Sequence, residues 1–341
     1  MDGSALIRRV PLFAGLDDRA LDDLLRIFEP VVFAPGENLT RQGGPARCAY
    51  VIESGQADVL TLLPGGGSTR VAQLQAGSVL GEMALLDNAS CSATVTACEA
   101  MACHRITREG FRLLLAQRVP AVFEIQQRIT RGLCQRLRLL NAKVVAADVA
   151  GPPVAAVPAP AGCDMPPDDF DHRAFLPVLP PFRDFEATDL DALCAASRVV
   201  HLRRGELLFE QGAASDACYI VVRGALELTV LRDGLRHRIG ILGPGRLCGI
   251  MAMIEGQAHS MQAAAREQAV LLAMARADFE VFFAGCDRVS ARLQQVMHRE
   301  LLQALARTNN HLTRLISSAR VRGAPVADLE QALRAQDCRV A

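Results

Sequence analysis

The 341 residues carry 37 basic and 37 acidic side chains, half are hydrophobic, and 22% are charged. Zero net charge excludes a global pull toward nucleic acid or an anionic membrane, and the apolar content excludes extended disorder. The length suits two domains at about 150 residues each.

The first residues, Met1 to Leu6, have neither the basic start nor the apolar run of a signal peptide, and no later segment stays apolar for the ~20 residues that span a bilayer. A cytoplasmic protein without a membrane span is expected. Eleven cysteines, scattered from Cys48 to Cys338 with no C-x-x-C pair, point to reduced thiols rather than a disulfide framework or a zinc knuckle.

In chain order, Leu16, Leu21, Leu24, Leu25 and Phe28 predict an N-terminal helix. Alternation from Tyr50 to Val59, broken by glycine, predicts short strands of a small sheet structure. The turn Gly77-Ser78-Val79-Leu80-Gly81 leads into a short helical stretch, whose leading N–H groups can face an anion. Val122, Ile125, Ile129, Leu133, Leu137, Leu140 and Val144 then advance by three or four, as an amphipathic helix does. From Ala146 to Asp169 the chain is rich in Ala, Pro and Gly and has no apolar period, which predicts a linker.

After the linker the chain repeats itself. Pro11 to Leu21 resembles Pro180 to Leu190, Gln42-Gly43 matches Gln211-Gly212, and Tyr50-Val51-Ile52 matches Tyr219-Ile220-Val221, all at an offset of 169. The offset falls to 168 where Gly77–Ala84 aligns with Gly245–Ala252, so one residue is missing from a hairpin between these points. A second terminal helix is predicted through Val289, Leu293, Val296, Leu301, Leu305, Leu312 and Ile316. The expected organisation is a domain over 1–146, a linker over 147–170, a second domain over 171–317 and a tail over 318–341.

The Pro-Leu-Phe opening, the Gly-Glu and Gln-Gly pairs, the Tyr-Val-Ile-x-x-Gly strand and Gly81-Glu82-Met83-Ala84-Leu85-Leu86 resemble a tandem of cyclic nucleotide-binding domains. This is the module of catabolite-activator-type regulators and of cyclic-AMP-dependent kinase regulatory subunits. The resemblance implies two eight-stranded jelly-roll β-barrels with flanking helices, mainly β with α, each holding a phosphate-binding cassette. It also implies a first pocket formed by Leu80, Gly81, Glu82, Met83 and Ala84 with Cys91, Ser92 and Thr94. The corresponding second pocket is Gly249, Ile250, Met251 and Ala252 with His259, Ser260 and Gln262.

Family members pair a ribose-binding glutamate with a phosphate-binding arginine. The first copy keeps the glutamate as Glu82 and has Cys91 in place of the arginine; the second has Ile250 and His259 at the two positions. Glu82 reads as a ribose acceptor or as a cap on local backbone donors. Arg41 and Arg47 are candidate replacement cations. Cys91 reads as a small filler or as a reactive thiol, and His259 as a pH-dependent cation or an exposed, idle side chain. The second copy is expected to be a pseudo-site. Cys98, Cys103 and His104 have a superficial metal-ligand look, but strand alternation separates them, and no metal or cofactor is expected beyond a cyclic nucleotide or nucleoside ligand.

Arg128, Arg131, Arg136, Arg138 and Lys143 face only Glu124 on the first terminal helix, and seven arginines from Arg288 to Arg322 face Glu300 on the second. These runs read as a surface for an acidic partner or as solvated helix faces. The apolar stripes suggest pairing of the terminal helices, within the chain or, as favoured here, in a homodimer. No nucleophile-plus-base set, phosphate loop or His/carboxylate metal motif points to an enzyme. The residues after Ser317 are too few for a DNA-binding domain. The expected function is a non-catalytic signalling receptor or regulatory subunit acting on an effector protein; the alternative is a scaffold with vestigial pockets.

Overall fold

The computed structural model describes residues 7–62, 68–147, 171–232 and 234–321. Both copies fold as antiparallel jelly rolls. The first contains β1 (Phe28–Phe33), β2 (Asn38–Thr40), β3 (Pro45–Ala46), β4 (Cys48–Ser54), β5 (Ala57–Leu62), β6 (Ser68–Leu74), β7 (Val79–Leu80), β8 (Ala89–Ser90), β9 (Thr94–Ala97) and β10 (Met101–Thr107). These form sheets ordered β1-β10-β4-β7 and β2-β9-β5-β6, with a two-stranded ribbon β3-β8.

The second copy contains β11 (Ser197–Leu202), β12 (Leu207–Phe209), β13 (Ala217–Arg223), β14 (Leu226–Arg232), β15 (Leu235–Leu242), β16 (Leu247–Cys248), β17 (Gln262–Ala265) and β18 (Ala269–Ala275). Its sheets, β11-β18-β13-β16 and β12-β17-β14-β15, repeat the order of the first copy. The repeat extends to irregularities: the bulge between Val59 and Leu60 recurs between Leu228 and Thr229. Each copy is a pair of four-stranded sheets of the expected jelly-roll type, not joined into a closed barrel. The edge strands β7 and β16 are two residues long, so the ladder ends there without joining the other sheet.

Alternation makes the core. Ile52, Ala57, Val95, Ala97, Met101 and Cys103 meet between the first copy's sheets, and Val221, Leu226, Ala263, Ala265 and Leu271 do so in the second. Helix α1 (Asp18–Leu25) buries Leu21 and Leu24 and starts on Asp17, whose side chain accepts from the Ala20 amide at 2.7 Å. Helices α2 (Arg108–Ala116) and α3 (Pro120–Ala147) close the first repeat. In the second, α4 (Ala187–Ala195), α5 (Ile250–Glu255), α6 (Arg276–Ala284) and α7 (Arg288–Val321) follow the same plan.

The chain divides into two compact units, Cys134–Leu312 and the remainder, and the division falls inside α3. Two contacts place the end of α3 with the second unit. Arg138 Nε donates to Glu255 Oε2 at 2.9 Å, and Thr308 Oγ1 donates to Asn141 Oδ1 at 3.3 Å, with Asn141 and Thr308 both buried. The expected linker, apart from residue 147, and the tail beyond residue 321 lie outside the described residues. Helix α7 runs to Val321, past the expected end at Ser317.

Val122, Ile125, Ile129, Leu133, Leu137, Leu140 and Val144 on α3, and Leu293, Val296, Leu301 and Leu312 on α7, are all buried within the single chain. Val289 and Leu305 of the predicted α7 stripe are half-buried. The reading of the arginine runs is corrected. Arg288 and Arg292 pair with Glu186 and Asp189 at the start of α4, and Arg246 from outside the helix joins Glu300. Among the described residues no helix is long and apolar enough to cross a membrane.

Candidate functional site

In the first copy the cassette begins where β7 leaves β4, with Leu80 opposite Tyr50. Leu80 is buried in the core. Gly81 has φ +75°, and a Cβ there would stand 2.6 Å from the Cys48 carbonyl oxygen; Gly249 repeats the left-handed conformation at φ +83°. Both glycines are required by the backbone. Glu82–Leu85 then forms a 3₁₀ turn, the counterpart of α5, with Glu82 and Met83 half-buried and Ala84 buried.

An arginine outside the predicted set holds each cassette in place. Arg108, the first residue of α2, donates to the carbonyls of Ala84 and Ala46 and to Asn88 Oδ1. Arg276, at the start of α6, donates to the Ser215 carbonyl at 2.5 Å and the Met253 carbonyl at 3.4 Å. One guanidinium thus ties three chain segments together in each copy. The signal was present in the sequence, since Arg108-x-x-Phe111 recurs as Arg276-x-x-Phe279 at the repeat offset.

Cys91 and His259 occupy equivalent places. The Cys91 amide donates to Gly44 and its carbonyl accepts from Gly43; the His259 amide donates to Ala213 and its carbonyl accepts from Gly212. Burial raises the Cys91 pKa and outweighs the backbone hydrogen bonds that lower it, so the thiol is protonated at neutral pH. Arg41 and Arg47 are both exposed, as is Ser92. Thr94 departs from its expected role: its neighbour Val95 enters the core, and its own hydroxyl accepts from the Gln42 amide at 3.0 Å.

The second copy is filled from within. His259 is buried and stacks on Phe209 with ring centroids 3.7 Å apart and planes 9° apart, while Phe209 stacks on Tyr219 at 6.1 Å. Burial, more than the nearby Arg138, lowers the His259 pKa against the opposing pull of Asp216, so the imidazole is neutral. Neither sequence reading of His259, as cation or as exposed side chain, survives. The first copy has Thr40, Tyr50 and Cys91 at the three positions, two of them smaller.

Ile250 and Ala252 are buried, Met251 and Ser260 are half-buried, and Gly249 caps the helix. Gln262 stands on the opposite face of β17 from the core residues Ala263 and Ala265, opposite Thr229, and so lies outside the expected pocket. The Cys98, Cys103 and His104 set also separates. Cys103 is in the core, while His104 Nε2 lies 3.3 Å from Glu53.

The profile of the cyclic nucleotide-binding domain matches residues 30–118 and 199–285, together just over half of the chain. A cAMP-dependent protein kinase regulatory subunit from Blastocladiella emersonii is 24% identical over 71% of this chain and 49% of its own length. The acetyltransferase Pat of Mycolicibacterium smegmatis is 33% identical over 38% of each protein. The chain thus spans about half or less of these relatives. Among solved structures, the cAMP-bound regulatory domain of Toxoplasma gondii protein kinase A is 19% identical, with a TM-score of 0.32, over 81% of this chain and 89% of that one. With the same cassette built twice and the family profile matched in both places, the chain belongs to the cyclic nucleotide-binding domain family.

Proposed function

We propose that the chain is a non-catalytic cytoplasmic receptor that reads a nucleoside-containing ligand in its first copy and passes the signal to an effector protein. The second copy serves as a closed pseudo-site. The supporting observation is the His259–Phe209–Tyr219 stack, which fills the second copy's interior where the first copy has Cys91 and Thr40. Glu82 remains on the first cassette turn as the ribose acceptor. Without an arginine at position 91, selectivity for a cyclic phosphate falls relative to a neutral nucleoside.

Calorimetry of cyclic AMP, cyclic GMP and adenosine tests this reading. Cys91→Arg is expected to strengthen both cyclic nucleotides by about 1.5–3 kcal/mol and leave adenosine unchanged, because only the phosphate gains a charged partner. Glu82→Ala should weaken all three. Tight wild-type binding of cyclic nucleotides that Cys91→Arg does not improve would assign the cation role to Arg41 or Arg47. Absence of binding in every variant would favour a scaffold with vestigial pockets.

A further inference from the structure

The two copies differ in what stands beside the same tyrosine. Tyr50 on β4 and Tyr219 on β13 are equivalent at the repeat offset, and so are Thr40 on β2 and Phe209 on β12. The strand register agrees: Thr40 stands opposite Val95 and Phe209 opposite Ala263. Val95 and Ala263 are core residues, so Thr40 and Phe209 are both on the inner face of their sheets.

In the second copy the Phe209 ring covers Tyr219, with centroids 6.1 Å apart and planes 28° apart, and His259 covers Phe209 in turn. Tyr219 and His259 are accordingly only 7% and 6% exposed. The first copy has neither of the two covering rings, and its Tyr50 and Cys91 are half-buried. Toward the core the first copy is the fuller one. Val95 and Leu80, both buried, replace Ala263 and Cys248. Phe33 replaces Leu202 and meets Tyr50 edge to face, with centroids 5.7 Å apart and planes at 75°. The room left by the missing rings therefore lies on the solvent side of Tyr50.

Thr40, Tyr50 and Cys91 bring no charge to this place. The Thr40 hydroxyl donates to the Ala93 carbonyl at 3.2 Å, and burial raises the pKa of both Tyr50 and Cys91. Arg105, opposite Tyr50 on β10, is engaged with Glu29, its Nε donating to Oε2 at 2.9 Å. A phosphate gains little in such surroundings. A flat, uncharged ring gains a stacking partner, as Phe209 does against Tyr219.

We propose that the first copy seats the base of its ligand against Tyr50, in the place that the Phe209 ring takes in the second copy, with Thr40 as the residue that keeps this place open. The proposal rests on the nucleoside reading of the first pocket and adds to it the side chains that hold the base. The second copy is then the same site with a ring of its own chain in it.

The chain has two tyrosines and no tryptophan, so Tyr219→Phe leaves Tyr50 as the one tyrosine and its emission reports what stacks on that ring. In this background adenosine, after correction for its absorption, is expected to quench the emission along the same curve as the calorimetric titration, while D-ribose at equal concentration leaves it unchanged. In the otherwise unmodified chain, Thr40→Phe should weaken adenosine by about tenfold or more with unchanged circular dichroism, and Tyr50→Leu by about tenfold. Should Thr40→Phe not fold, the Tyr50 emission decides alone. Adenosine that binds without quenching Tyr50, or that binds a folded Thr40→Phe chain as tightly as the wild type, overturns the proposal and leaves the nucleoside reading standing. Absence of adenosine binding to the wild type overturns both.

Discussion

His259 shows how one side chain can close a site and make stability depend on pH. Burial lowers its folded pKa below the ordinary 6.5, so between those two values the unfolded chain binds more protons than the folded one. The sign follows directly: this contribution is present at neutral pH and is lost as pH falls through 6.5 toward the folded value. His259→Phe keeps a ring on Phe209 and removes the titration. Urea unfolding from about pH 7.5 to 5 should therefore show a shallower loss of stability in the variant than in the wild type. Arg108 acts through hydrogen bonds to three acceptors, and Arg108→Ala leaves the Ala84 and Ala46 carbonyls and Asn88 without that donor. A loss of about 1–3 kcal/mol in urea unfolding is expected, with weaker ligand binding in the first pocket because the cassette turn loses its anchor. Unchanged stability would show that solvent replaces the guanidinium at no cost.

At the scale of elements, the long terminal helices are held by polar contacts as well as by apolar stripes. Arg138 on α3 meets Glu255 at the end of α5, and its guanidinium also donates to the Ala258 carbonyl at 3.3 Å, one residue before His259. The Glu255 side chain is only 2% exposed. Removing the arginine leaves a carboxylate buried without its cation, so Arg138→Ala should destabilise the second unit by about 3–5 kcal/mol, read as a lower urea midpoint. Arg138→Ala combined with Glu255→Leu should recover much of that loss, since no unpaired charge then remains. At α4, burial pushes the Asp189 carboxyl up, but the Glu186 amide and the Arg292 and Arg288 guanidinium groups together hold it below its usual value. A capping box and two arginines of α7 thus converge on one side chain.

For the whole molecule, most of the apolar stripe residues of α3 and α7 are buried within one chain, which leaves little exposed apolar surface on them for self-association. Light scattering at micromolar concentration should accordingly return the mass of a single chain, and a doubled mass would identify pairing through a different surface. The division of the chain into two compact units falls inside α3. Composition marked where regular patterning stops. Contacts of Arg138 and Asn141 with residues more than a hundred positions away decided which unit the end of the helix joins.

The internal repeat, the short strands and the glycine turn that leads into the first cassette were legible in the sequence. They depend on residue type and local spacing, which periodicity and alignment of the two copies expose directly. The occupant of the second pocket was not legible. Phe209, Tyr219 and His259 come from separate segments, and only the folded sheets bring their rings together. The outward orientation of Thr94 and Gln262 was missed because the pattern of the cassette run was followed past the point where strand alternation turns its side chains away from the core. The partners of the helix arginines and the covering of the stripes were likewise decided by tertiary structure, because a helical period specifies which residues share a face and carries no information about what packs against it.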